Sequence, residues 1–160
     1  MRAMTMWVAA AGLAGLVAWS TREQRNPDLV LAQSKKPIVI TRLFTGPDGL
    51  THAEDIPVPL TGDALVTELS EMVKATGVEF HRVPPGRVND WHTAPRRQLV
   101  ITLSGKGEVE VAGGKKILSE PGHIELAEDL TGKGHITRVV GNEDRVTVQI
   151  PLTGPFPGVR

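Results

Sequence analysis

The sequence predicts an all-β domain, closed into a sandwich or barrel and preceded by one apolar helix of membrane length. Three observations carry this. From Ile38 onward short apolar or alternating runs recur between Gly- and Pro-rich turns, the pattern of many short strands rather than of helices. Within those runs the period is two, as in Glu108–Ala112, where Val109 and Val111 alternate with Glu108 and Glu110. Ahead of them, Met4 to Thr21 carries no charged residue at all, and two of the three tryptophans lie in the first twenty positions.

Composition narrows the function classes. The chain has 160 residues, enough for one domain with its own core. Lys and Arg number 18, as do Asp and Glu, so no global field draws the protein to nucleic acid or acidic lipid. Cysteine is absent, which excludes disulfides, thiolate catalysis and cysteine-based metal sites.

Residues 1–21 read as a membrane anchor or signal helix. Met4 to Thr21 is eighteen residues, which as a helix rise about 27 Å, near the hydrocarbon thickness of a bilayer. Trp7 and Trp19 fall near its two ends, where aromatic belts sit. A signal peptide needs a small-residue cleavage site soon after the apolar run, and Val17-Ala18-Trp19-Ser20 is a poor one. The reading taken is therefore an uncleaved single-pass anchor in a bacterial inner membrane with the domain on the periplasmic side; export after cleavage is the alternative. Arg2 and the terminal amine favour an inside N-terminus, against Arg22 and Arg25 on the other flank. Ala10, Ala14 and Ala18 recur every four residues, a small-residue stripe on which another membrane helix can pack. Residues 22–37 form a polar tether that includes Pro27 and Pro37.

Residues 38–160 are the β domain. Ile38-Val39-Ile40 opens it and Thr45–Gly49 is a turn cluster. Between Asp63 and Val73, the spacing of Leu65, Leu69 and Met72 with Asp63 as N-cap predicts one short helix. Strands follow at Gly77–Val83, Gln98–Leu103 and Glu108–Ala112, with a hairpin turn at Gly113-Gly114. Ile117-Leu118, Ile124–Ala127, His135–Val140 and Arg145–Leu152 complete the set; in the last, Val146, Val148, Ile150 and Leu152 share one face.

The chemistry concentrates in two places. From Gly86 the chain reads Gly-Arg-Val-Asn-Asp-Trp-His-Thr-Ala-Pro-Arg-Arg-Gln-Leu-Val-Ile-Thr-Leu-Ser-Gly, and further on it reads Thr-Gly-Lys-Gly-His. Gly86, His92 and Gly105 match the spacing of the first cupin motif, and Gly132 with His135 match the start of the second. The stretch from Gly77 to Leu152 thus resembles the single-domain bacterial cupins. The resemblance implies a double-stranded β-helix (jelly-roll) barrel, and a homodimer formed through the sheets. A full cupin site holds a divalent metal with three His and one carboxylate. Here Ala94 stands where the second His would be, Gln98 where the carboxylate would be, and Val139 where the second motif has Asn.

On one extended strand His92, Ala94, Arg96 and Gln98 share parity and face one side. With His135 they converge on one cavity. Three readings stay open: a divalent transition metal held by His92, Gln98 and His135, with a carboxylate from Asp90, Glu128 or Asp129 at the rim; His92 and His135 as hydrogen-bonded interior residues bridged by Gln98; or metal-free acid–base catalysis by His92 or His135. Arg96 is a candidate clamp for a substrate carboxylate or phosphate, or a salt-bridge partner of Glu128 or Asp129. Trp91 faces away from the cavity by parity. His52, His81 and His123 have no partner spacing and read as surface or structural. Thr131-Gly132-Lys133-Gly134 lacks the eight-residue phosphate-loop pattern.

For function, the sequence points first to a membrane-anchored accessory subunit docking on other membrane-protein subunits of a larger complex, photosynthetic or respiratory. The alternatives are a small metal-dependent enzyme acting on a small anionic molecule, and a small-molecule binding protein.

Overall fold

A computed structural model describes residues 36–159. The anchor of residues 1–21 and nearly all of the tether lie outside the described residues; among those described, no helix is long and apolar enough to cross a membrane.

Among the described residues twelve strands form in chain order. β1 is Val39–Thr45, β2 Thr51–Pro57, β3 Thr61–Asp63, β4 Thr67–Leu69, β5 Glu79–Val83 and β6 Val88–His92. β7 is Gln98–Ser104, β8 Lys106–Glu110, β9 Lys116–Ser119, β10 Ile124–Glu128, β11 His135–Val140 and β12 Arg145–Pro151. They make a six-stranded sheet of order β2-β1-β10-β7-β12-β5 and a four-stranded sheet of order β6-β11-β8-β9, with β3 and β4 as a separate ribbon. β1 and β10 run parallel, and the other paired strands are antiparallel. The chain from Ala112 to Gly114 makes a single 3-10 turn that joins β8 to β9 at the expected hairpin.

β10 explains the layering. Its three central residues Glu125, Leu126 and Ala127 are all buried, so both faces of this strand are covered. Leu126 points to the outer face of the large sheet and packs with Ile40 and Phe156; Ile56, Val73, Leu99 and Leu152 close round them. The C-terminal segment thus roofs the outside of the large sheet. On the opposite side, Leu43 of β1 meets Val109 of β8 and Val111, with Ala53 and Ile117 beside them, as an apolar plug between the sheets. Val109 and Val111 keep 1 % and 2 % of their surface, which is the inward parity their alternation predicts.

Residues 63–73 are not a helix. Asp63 caps a turn instead: its side chain accepts from the Leu65 amide at 2.8 Å while its carbonyl accepts from Val66 at 3.0 Å. The chain then returns as β4 against β3. Leu65, Val66, Leu69 and Met72 are all exposed, so the spacing that suggested an amphipathic helix has no core to face.

Candidate functional site

A cavity of about 450 Å³ opens between the two sheets, beside the apolar plug. Its wall on the small sheet comes from β6 and β11. Its wall on the large sheet comes from β5, β7, β10 and β12.

His92 ends β6 and His135 begins β11, and the strand register sets them opposite each other. Their rings lie 4.4 Å apart between centroids, tilted by 56°. Gly134 makes that approach available. Its φ is +76°, and a Cβ there would lie 2.0 Å from the His92 carbonyl oxygen, so no other residue fits before His135.

Among the described residues each imidazole has a partner at Nδ1 and none at Nε2. His92 Nδ1 lies 2.8 Å from the Asp90 carbonyl oxygen, which only accepts, so Nδ1 carries the proton and Nε2 is unprotonated in the neutral ring. His135 Nδ1 donates to Asp129 Oδ2 at 2.6 Å. Asp129 is fully buried, and the same Oδ2 accepts from the Thr51 hydroxyl at 3.0 Å. Burial by itself lowers the pKa of His135, but the hydrogen bond to Asp129 and the charges of Asp129 and Glu125 outweigh it and hold it above the ordinary 6.5.

The segment between His92 and Gln98 leaves the strand. Pro95 offers no amide hydrogen and disfavours continuation, and the Ala94 amide turns to the Asp129 carbonyl at 3.1 Å. The chain crosses from the small sheet to the large one here. His92, Ala94 and Gln98 all still line the cavity, but through this crossing rather than by the parity of one strand. Arg96 does not follow them. Its guanidinium bonds Glu79, and its Nε donates to Gln98 Oε1 at 3.1 Å. The partners considered for it are taken elsewhere: Glu128 pairs with Arg42 and Arg97, and Asp129 with His135. Trp91 stacks under the Lys133 ammonium, 3.7 Å from its ring centre.

Several site residues escape sequence reasoning. In β12 the inward face is the polar one, with Arg145, Thr147 and Gln149 lining the cavity opposite the apolar face of Val146, Val148 and Ile150. Glu125 lines it from β10 and is 5 % exposed; burial pushes its carboxyl pKa up. His81, read from sequence as surface or structural, stands at the mouth, where Gln149 donates to its Nδ1 at 3.1 Å. The available signal was the parity Arg145-Thr147-Gln149, a polar alternation as regular as the apolar one.

No protein-family model matches this sequence, and no curated protein matches it. Among solved structures the chain is similar to a cupin-like protein from Thermotoga maritima, with 23% identity over 49% of this chain and 59% of that one, and a TM-score of 0.41. It is also similar to a protein with a double-stranded β-helix domain from Klebsiella pneumoniae, with 22% identity over 49% and 68% of the two chains and a TM-score of 0.40. An RmlC-like cupin protein from Desulfovibrio desulfuricans follows at 19% identity, 50% and 80% coverage and a TM-score of 0.37. The match thus spans 59% of the Thermotoga protein's length.

The donor set can be tested against the divalent metal that the sequence resemblance implies. His92 and His135 each offer a free Nε2 with Nδ1 held by an oxygen, as metal-bound histidines do. The third member does not fit. Gln98 is neutral, and its Oε1 already accepts from the Arg96 cation. Of the rim carboxylates, Asp129 holds His135 and Thr51 through Oδ2, and Glu128 pairs with Arg42 and Arg97. Among the described residues no group of three His, Asp or Glu side chains is placed to hold a metal ion.

Proposed function

We propose that this chain is a small cupin-type protein whose interior cavity takes up a small organic molecule and moves a proton on it, with His135 as the acid–base group. The observation that carries the reading is the pair of facing imidazoles whose Nδ1 atoms are anchored and whose Nε2 atoms have no protein partner beside an open cavity. Asp129 orients the His135 ring, fixes the proton on Nδ1 of the neutral form and stabilises the imidazolium. The hydrogen bond to Asp129 and the charges of Asp129 and Glu125 favour the protonated ring, so the imidazolium has a proton to give at Nε2 and the neutral ring a lone pair to take it back. His92 abuts it and, fixed as the Nδ1–H tautomer, presents an acceptor nitrogen to the bound molecule. The cavity volume falls in the range of small-molecule sites.

The test is deuterium exchange. The purified full chain is incubated in D2O with a panel of small carbonyl compounds and organic acids, and loss of carbon-bound proton signals is followed by NMR. The wild type is expected to catalyse exchange on at least one compound, with a loss of about 100-fold or more in His135→Gln. Exchange unaffected by that substitution, or no exchange and no compound bound, overturns the reading. A stoichiometric divalent metal that is lost with His92→Ala or His135→Gln would instead establish the metal-dependent alternative.

A further inference from the structure

Besides the imidazole pair, the cavity lining holds a second pair of charged side chains with no part in the acid–base chemistry. Arg145 and Glu125 both line the cavity and are 8 % and 5 % exposed. They are not an ion pair with each other. Arg145 makes one side-chain hydrogen bond, from Nη2 to the Thr102 hydroxyl at 3.1 Å, and its Nε is buried with no partner. Glu125 Oε2 is likewise buried with no partner. The guanidinium is firmly seated: it lies across Gly107 of the opposite sheet, where a Cβ would come within 2.7 Å of Arg145 Nε. That β8 position has to be glycine for Arg145 to cross the interior.

The charges around Arg145 leave its cation uncompensated. Burial pushes the Glu125 carboxyl pKa up and the His123 ring pKa down, and among the described residues no carboxylate forms an ion pair with Arg145. Further out, Asp129 and His135 compensate each other. A buried guanidinium with an unfilled donor and a carboxyl with an unfilled oxygen thus line the same cavity, and an anion can supply the partner that the guanidinium lacks.

We propose that Arg145 and Glu125 form a carboxylate-binding subsite in the wall of the cavity, so that the molecule presented to His135 is a small carboxylic acid. Arg145 donates from its free guanidinium N–H, and the Glu125 carboxyl donates its O–H to the same carboxylate. This deepens the function proposed above and rests on it only for the part played by His135. It also moves anion recognition from Arg96, which is engaged with Glu79 at the surface, to an arginine inside the barrel.

The experiment is calorimetric titration of the full chain at pH 6 with propionate and butyrate, with the matching primary amides, and with inorganic phosphate. Saturable binding of the carboxylates, and not of the amides, is expected. Arg145→Met is expected to weaken carboxylate binding about 10- to 100-fold, the effect of losing a charge-assisted hydrogen bond. Arg145→Lys, which keeps the charge and loses the planar fork, covers the case in which the methionine variant does not fold, and should lose about tenfold. Glu125→Gln keeps a donor and should stay within a few-fold of wild type. Equal binding of acids and amides, no binding, phosphate preferred over both acids, or affinity unchanged in the Arg145 variants overturns the subsite. Failure here is separable from failure of the acid–base reading. Arg145-dependent binding without deuterium exchange keeps the subsite and drops catalysis. Exchange on neutral carbonyl compounds without carboxylate binding does the reverse.

Discussion

At the scale of single residues, Asp129 is the group that turns His135 from a packed ring into a poised one. Replacing Asp129 by Asn removes the carboxylate charge and keeps a polar partner, so the His135 pKa should fall from its raised value toward or below 6.5; a ring-proton NMR titration reads this directly. The sign carries to stability. His135 binds its proton more tightly folded than unfolded, so its contribution is complete below the unfolded value and disappears as pH rises through the folded one. Glu125 behaves the same way from a lower starting point, because burial raises its carboxyl above the ordinary 4.5. Urea midpoints of the wild type should therefore fall as pH climbs from 4.5 past neutrality. In Glu125→Gln the first part of that fall should be gone. Equal pH slopes in both proteins would contradict the assignment. His92 and His135 were legible in the sequence because a glycine-bounded spacing singled them out. Glu125 was not, since a lone charged residue inside a strand carries no mark of which face is the cavity, and Arg145 was marked only by its polar alternation with Thr147 and Gln149.

At the scale of elements, β10 holds the molecule together because it is covered on both faces. Leu126→Ala should cost about 2–5 kcal/mol by urea denaturation, the usual cost of emptying a fully buried leucine site. Leu65→Ser in the exposed turn between β3 and β4 should change stability by less than about 0.5 kcal/mol. A large loss at Leu65 would mean that this turn packs on something. The same contrast shows where periodicity misled. Alternation placed β8 correctly, since Val109 and Val111 have a core to enter. The helical spacing over residues 63–73 had none, and a two-residue Asp turn decided the local structure. The strand presumed to run from His92 to Gln98 breaks at Pro95 for an equally local reason, and that break carries the chain from one sheet to the other.

At the scale of the whole molecule, two sheets enclose an apolar plug and, beside it, a polar cavity. Strand spacing and turn residues made this all-β architecture readable; the pairing of β1 with β10 across most of the domain did not show, because register over such distances leaves no local pattern. The anchor reading of residues 4–21 predicts that the full chain stays with bacterial inner membranes through an alkaline carbonate wash and needs detergent for release. A soluble periplasmic protein lacking those residues would favour export after cleavage. The accessory-subunit reading rests on that segment, its small-residue stripe and the incomplete cupin ligand set. The most direct test of the cavity is 15N NMR of the histidine rings in the full chain. The account predicts His92 as the Nδ1–H tautomer and His135 titrating at Nε2 above pH 6.5. His92 found as the Nε2–H tautomer, or His135 titrating at or below pH 6.5, would contradict it.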